Sequence, residues 1–444
     1  MKRTRRFFMA GLPAAAVLVH ARMAGAAPRI GPSTSARPTT RRPTARPRAA
    51  KATKLDRTTA RLAKTHVIRP AHTRGVVCDT GVSAKLRRVK LGRTLRKIDT
   101  TPKLDVGAFG PALHAKLAQS VQGYAWQLRR GGAVVHNGLW EWGRSPVNGG
   151  QGWTMDTRMH IASVSKLMTA MAMVHKLRGA NRNLNDRIFD DLPKYWNLGA
   201  KTKDITFRQL LNHTAGFRVP GSATDFSTMK SKIAEGVAST HGKYAYENVN
   251  FALCRVLIPV LHGWINKTDT HGDATDTIWD VRSTTRFREY CNKYIFAPSG
   301  VPEVGFKPAG GDALAYNATG GGSGWDSGDL TTVSGGAGFR MSVSEVLDVM
   351  GTFRRSGTIV PTSEVDSFLN KSLGIDQRIE TPAGRLYNKN GAWGPGDGRL
   401  EQSVAVFLPK DMELCLFVNS EIITGGSKVS LRQTVTDTYL ANLR

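Results

Sequence analysis

The stretch HIASVSKLMTA, His160 to Ala170, decides how this chain is read. Ser163 stands three residues before Lys166, at the start of a pattern in which Leu167, Met168, Met171, Val174 and Leu177 recur at helical spacing. Residues three apart share one face of a helix, so the hydroxyl and the amine can meet without help from another element. A serine nucleophile at neutral pH needs a base beside it. A lysine neutralised by desolvation or by neighbouring cations can serve. A serine in the first turn also lies near the positive end of the helix dipole, which favours developing negative charge.

Alone, S-x-x-K is weak evidence. Its ordinary meaning is a helix start with an exposed lysine, and the spacing recurs at Ser227 and Lys230, where no apolar helix is read to follow. Two further motifs come in order. Tyr246-Glu247-Asn248 lies in KYAYENVNFALCRVLIPVL, immediately before an apolar helical run. Lys389-Asn390-Gly391 lies in YNKNGAWGPG, before the strand-like pair SVAVFLP and ELCLFVNS. Chance copies exist at Tyr195-Trp196-Asn197 and Lys90-Leu91-Gly92, but one follows a Pro in a polar loop and the other sits in a basic segment.

S-x-x-K, then Y-x-N, then K-x-G resembles the signature of the penicillin-recognising serine enzymes. The chain is most similar to the class C β-lactamase group, which includes D,D-carboxypeptidases, esterases and D-amino-acid peptidases. LLNHTAGF, Leu210 to Phe217, is close to that group's LL-x-H-T-S-G-L, and SGGAGFRMSVSEVLDVM resembles its Gly-rich stretch before a helix near the site. The S-D-N motif of class A enzymes does not occur. The resemblance covers roughly Asp105 to Arg444.

The resemblance implies these roles. Ser163 is the acylated nucleophile. Lys166 shares its proton and holds the Tyr246 phenolic oxygen. Tyr246 is the general base for acylation and activates water for deacylation. Asn248 hydrogen-bonds the substrate amide or Lys166. Lys389 stabilises the Tyr246 oxygen and attracts a substrate carboxylate. The backbone N–H groups of Ser163 and Ala392, the residue after Gly391, form the oxyanion hole. Elementary chemistry agrees: two ammonium groups flanking a phenol lower its pKa toward the working pH, and two donors aimed at one oxygen stabilise a tetrahedral intermediate. Two positions depart from the family pattern. Asn390 stands where Thr or Ser usually helps bind a substrate carboxylate, which keeps esters and peptides open as substrates beside penicillins. Glu247 replaces a small residue.

The formal charge of the 444-residue chain is +29, which at first sight suggests a nucleic-acid binder. Its distribution argues otherwise. Residues 1–100 hold 25 Lys and Arg against three Asp, so +22 belongs to this segment and +7 to the rest. MKRTRRFF followed by FFMAGLPAAAVLV and Ala24-Gly25-Ala26 reads as a secretory signal peptide, with a twin-arginine export signal or an ordinary secretory one as alternatives. No later stretch is long and apolar enough to span a bilayer. Pro28 to about Arg74 is Pro-, Thr- and Arg-rich and cannot bury a core. It reads as an extended linker, either a solvated spacer or a tether to an anionic cell-envelope surface. KLRRVKLGRTLRK, Lys85 to Lys97, could dock on the catalytic domain as a short helix or strand.

Export permits disulfides among Cys78, Cys254, Cys291 and Cys415, which allow three pairings; Cys254 and Cys415 also fit as buried thiols. His271 in DTHGDATD is the only histidine among several acids and reads as a solvated loop rather than a metal ligand. His213 reads as structural. GGGSGWDSGD, from Gly320, lacks the Lys of a phosphate-binding loop and reads as a flexible loop at the cleft edge. No metal and no cofactor is expected.

The order of elements predicts an α+β fold. YAWQLRRGGAVVHNGLWEWG is a hairpin turning at Gly131-Gly132, Ser163 to about Gly335 is mostly helix and loop, and a last helix runs from about Ser427 to Leu443. The resemblance implies one antiparallel sheet flanked by the first and last helices, with an inserted all-helical lobe and the site between them. The expected organisation is a signal peptide over 1–26, a basic linker over 27–104 and a serine hydrolase domain over 105–444. The function that follows is an exported serine hydrolase forming an acyl-enzyme on an amide or ester, whether β-lactam, D-amino-acid peptide or ester. The alternative is a catalytically silent protein of the same fold that binds cell-wall or surface ligands. A nucleic-acid partner is disfavoured, because the charge sits in a tail without interleaved aromatics.

Overall fold

Gly131 and Gly132 both take positive φ, 57° and 88°. A two-residue hairpin turn needs this left-handed pair, and it joins β1 (Gly123–Arg130) to β2 (Ala133–Arg144) as the sequence predicts. The computed structural model describes residues 101–218, 223–318, 320 and 322–444. The signal peptide, residues 27–100 of the basic linker and Cys78 lie outside these residues.

After β2 come three two-residue or short pairings and the strands of the C-terminal half. These are β3 (Gln151–Gly152), β4 (Met159–His160), β5 (Arg340–Met341), β6 (Gln377–Thr381), β7 (Gly384–Trp393), β8 (Glu401–Leu408) and β9 (Met412–Val418). Seven of them form one antiparallel sheet in the order β3-β2-β1-β9-β8-β7-β6. The first hairpin therefore pairs with the last one, and Trp126 lies opposite Leu416.

The sheet's two faces follow from the period of two along each strand. Tyr124, Trp126, Leu128, Val404, Val406, Leu414 and Leu416 pack with the flanking helices α1 (Val106–Leu117) and, at the far end of the chain, Leu431–Ala441. Ala125, Ala405, Phe407, Cys415 and Phe417 pack into the larger core on the opposite face. Both faces are covered, so β8 and β9 are buried at every position and read as continuous apolar runs.

The helical lobe is α2 (Ser165–Gly179), α3 (Phe207–Leu211), α4 (Phe226–Glu235), α5 (Val249–Leu261) and α6 (Thr275–Cys291). It is inserted between β4 and β5, which pair with one another through Met159 and Met341, so the chain leaves and returns at one place. Behind β5, the capping box of Ser342 and Glu345 starts α7 (Val343–Arg355). The short α8 (Val365–Asn370) precedes β6, and the C-terminal helix, α9, spans Leu431–Ala441. No helix among the described residues is long and apolar enough to cross a membrane. The α+β architecture with an inserted helical lobe is the one expected.

Three details differ from the sequence reading. The last helix begins at Leu431 rather than Ser427, because 423–428 turns back as a small hairpin with Gly425 and Gly426 at positive φ. Ser227 and Lys230 do lie on a helix, α4, but they turn away from each other: Ser227 bonds the N-cap Asp225, and Lys230 pairs with Asp276. Lys389 precedes the strand pair β8–β9 as expected, but it also sits inside a strand of its own, β7, whose polar residues YNKN hide its β character. Cys254, Cys291 and Cys415 are all buried and free, and burial raises each thiol's pKa, so none is a nucleophile.

Candidate active site

Ser163 lies in a 3-10 turn, Ala162–Val164, that runs into α2. The residue before it, Ala162, holds φ at 45°, a conformation costly for any side chain and concentrated at functional sites. From Ser165 to Leu177 the helix is buried almost all round. Lys166, on its first turn, is therefore removed from water altogether. Its Nζ donates to Ser163 Oγ at 2.9 Å, Asn248 Oδ1 at 2.8 Å and the Gly336 carbonyl at 2.6 Å. All three ammonium hydrogens are thus placed.

Tyr246 comes from the turn before α5, and its Oη is 2.7 Å from Ser163 Oγ. Its ring stacks on His213, centroids 4.3 Å apart. His213 is the histidine of LLNHTAGF, held at φ 59° after α3. Its Nδ1 accepts the Glu247 N–H at 3.2 Å. Burial, together with Lys389 and Lys166, keeps the imidazole neutral. It is a platform for the tyrosine, as its structural assignment anticipated. Glu247 itself is buried. Lys166 and Lys389 both place Nζ 5.0 Å from the Tyr246 ring centroid.

The motif residues therefore meet in space, though they span more than 220 positions of sequence. Their electrostatics separate them. Burial of Tyr246 resists ionisation, but Lys166 and Lys389 outweigh it and lower the phenol below its ordinary pKa. Burial also dominates at Lys166 and lowers its pKa, with Lys389 adding to the effect and Tyr246 opposing it. Lys389 goes the other way. Burial is outweighed by Asp376 and Tyr246, so it stays cationic. The two lysines are thus shifted in opposite directions, the kind of divergence that marks acid–base assignments.

β7 supplies the far wall. Its ladder with β6 ends at the Gln377–Asn388 pair, so the edge beyond is not covered by that strand. Asn388 O and Asn390 N both bond outward on this side, to Asp376 N and Asp376 Oδ2. By the period of two, the Ala392 N–H projects to the same edge. Gly391 lets β7 approach the nucleophile turn: a Cβ there would sit 2.5 Å from Ser403 Oγ, 2.6 Å from Ile161 O and 2.9 Å from Ser163 N. Gly391→Ala must push apart the two amides that the resemblance assigns to an oxyanion. Its expected result is a loss of kcat of roughly 10²-fold or more, the scale of removing one oxyanion donor. Steady-state kinetics on a chromogenic ester, with a melting curve as control, measures this.

Two residue groups were not visible in the sequence. Asp376, just before β6, bonds Lys389 Nζ at 2.5 Å. The Lys389 ammonium is thus paired with an internal carboxylate, a partner the sequence reading did not foresee. Behind the nucleophile turn, His160 Nδ1 faces Glu401 Oε2 at 3.1 Å, both side chains fully buried, while His160 Nε2 accepts the Gly338 N–H. That histidine fixes the Gly-rich loop whose Gly336 carbonyl holds Lys166. No local signal marks either pair, since partners lie 13 and 241 positions apart. GGGSGWDSGD is in part tied down: Arg340 binds Asp326 Oδ1, Ser327 Oγ and the Gly328 carbonyl. Among the described residues no group of three or more His, Cys, Asp or Glu could hold a metal ion.

Comparison with known proteins fits this geometry. Residues 96–265 match the Beta-lactamase family model. The chain superposes on an octameric penicillin-binding protein homologue from Pyrococcus abyssi with a TM-score of 0.57, at 15% identity over 76% of each chain. A β-lactamase/D-alanine carboxypeptidase from Yersinia pestis gives 0.55 at 15% identity, covering 74% of this chain and 94% of that one. A D-amino acid amidase from Ochrobactrum anthropi SV3 gives 0.54 at 17% identity, covering 75% and 98%. No curated protein sequence matches the chain. The resemblance read from the three motifs is borne out: residues 96–265 match the Beta-lactamase family model, and the fold is similar to that of β-lactamases and penicillin-binding proteins.

Proposed function

We propose that this protein is an exported serine hydrolase that cleaves amides or esters through an acyl-enzyme on Ser163. The observation that carries the reading is the pair of hydrogen bonds on one hydroxyl, 2.7 Å to Tyr246 and 2.9 Å from Lys166. Tyr246, deprotonated in the field of two lysines, takes the Ser163 proton as Oγ attacks the carbonyl carbon. The carbonyl electron pair moves onto oxygen and is met by the amides of Ser163 and Ala392. Collapse of the intermediate expels the alkoxide or amine, which takes its proton from Tyr246. Water then repeats the sequence on the acyl ester. Similarity in fold to hydrolases of amides and peptides supports the hydrolase class.

Intact-protein mass spectrometry after incubation with a penicillin, a p-nitrophenyl ester and a D-Ala-D-Ala peptide tests the reading. A mass increment equal to an acyl group, mapped to Ser163, is expected from at least one. No adduct and no turnover with any of them would leave the silent ligand-binding reading.

The export reading makes a separate prediction. The mature protein begins near Ala27 and is found outside the cytoplasm. Deleting Pro28 to Arg74 leaves turnover of a small substrate nearly unchanged, and salt releases the full-length protein from isolated envelope. N-terminal sequencing and a salt-dependent envelope pull-down check it. Equal envelope binding by the truncated protein at every salt concentration would overturn the tether.

A further inference from the structure

We infer that Asp376 is a specificity-determining residue that turns the site away from substrates bearing a carboxylate on the leaving-group side, toward uncharged esters and amides. The inference rests on the acyl-transfer reading of Ser163 and names the substrate class for that same site.

The place of Asp376 carries it. Where β6 stops, its last backbone bond to β7 is Asp376 N to Asn388 O, 2.9 Å. One step further along the same edge, the Asp376 carboxylate takes over from the strand. Oδ2 accepts the Asn390 N–H at 3.0 Å and Oδ1 takes Lys389 Nζ at 2.5 Å. A fixed anion thus holds both the ammonium and the backbone donor that flank the route from Lys389 to the Ala392 edge. Lys389 is 1% exposed and Asp376 10%, so water screens the pair little.

Lys166 faces Ser163, Asn248 and Gly336 with all its hydrogens used. The Tyr246 ring centroid lies 5.0 Å from Lys389 Nζ, and Tyr244 is near enough to feel the charges of Asp376, Lys389 and Arg432. Arg432, from α9, approaches Asp376 Oδ2 from the other side at 3.7 Å and is 31% exposed. It is a long, partly solvated contact and leaves Lys389 as the near cation. The change at Asn390 points the same way, because the hydroxyl that would share a substrate carboxylate with the lysine is absent. A carboxylate arriving at this edge would face the Asp376 anion as well as Lys389, whereas a neutral group carries no charge to be repelled.

The test uses two phenylacetyl esters that differ by one group, phenol or 3-hydroxybenzoate as leaving group. The full chain is expected to hydrolyse the uncharged ester with a kcat/KM roughly tenfold or more above the carboxylated one, the scale of one charge–charge contact in a partly screened site. Asp376→Asn keeps an oxygen for the Asn390 N–H and removes the charge. It should shift the ratio roughly tenfold toward the carboxylated ester and move the acid limb of the pH profile down, since Asp376 opposes ionisation of Tyr246. Arg432→Gln should not reverse the wild-type preference. A wild-type preference for the carboxylated ester, its loss in Arg432→Gln, or an unchanged ratio in Asp376→Asn would each overturn the inference. Ser163→Ala separates the two levels. If it retains turnover, the acyl-enzyme reading fails; if it is inert while the ester ratio does not respond to Asp376, only the role of Asp376 fails.

Discussion

Ser163→Ala leaves the protein folded and without covalent labelling by an acylating probe, with turnover of any accepted ester or amide down by about 10³-fold or more. The hydroxyl is the single atom that Tyr246 and Lys166 share, so its loss removes the bond-forming step rather than one contribution to it. Ser227→Ala is the matched control. It has the same S-x-x-K spacing, but its hydroxyl bonds Asp225 at a helix cap, and its lysine belongs to Asp276. Labelling of that variant at the wild-type rate, beside silence of Ser163→Ala, identifies the nucleophile. Mass spectrometry reads both. Wild-type labelling by Ser163→Ala would remove the assignment.

Lys166→Ala and Tyr246→Phe each lower kcat/KM by roughly 10²-fold or more, the usual scale for losing a general base. The double variant falls well short of the product of the two losses, because each residue's protonation depends on the other. The pH profile carries the sign. Burial opposes ionisation of Tyr246, the two lysines overcome it, and the net direction is down, so activity rises with pH through a limb below the ordinary phenol range. Lys166, lowered mainly by burial, contributes in the same direction. Residual activity of Tyr246→Phe should lose that limb. Fully multiplicative losses would show two independent groups and not a coupled pair. Lys166→Ala also removes three hydrogen bonds inside the core, so its melting temperature is followed; Tyr246→Phe keeps the ring that stacks on His213 and loses only the hydroxyl, so it carries no such complication.

Much of this site was legible because its motifs are short-range. S-x-x-K works through one helical turn, and Tyr246 is aimed by the start of α5, so order and spacing announce both. LLNHTAGF announced a histidine near the site, and His213 stacks on the base. The third motif was legible as K-x-G but not as a strand, since Tyr387 to Asn390 break the apolar alternation that marks one. Those polar side chains are buried or half-buried against partners from elsewhere, which no window of sequence contains.

The sequence by itself determined the α+β class, the Gly131-Gly132 hairpin, the β8–β9 strand pair, the helical stretch after Ser163 and the residues of the three motifs. Each follows from periodicity, turn chemistry or fixed spacing along a few turns of chain. The tertiary structure alone decided what the two lysines are. Lys166 and Lys389 are the same residue type in comparable motifs. One is buried on an almost wholly buried helix among uncharged acceptors and its pKa falls; the other is buried against Asp376 and its pKa rises. The tertiary structure also placed His160 on Glu401 and closed the lobe through Met159 and Met341. Burial and Coulomb energy depend on distance in space, and residues 13 or 241 positions apart acquire that distance only when the sheet has closed.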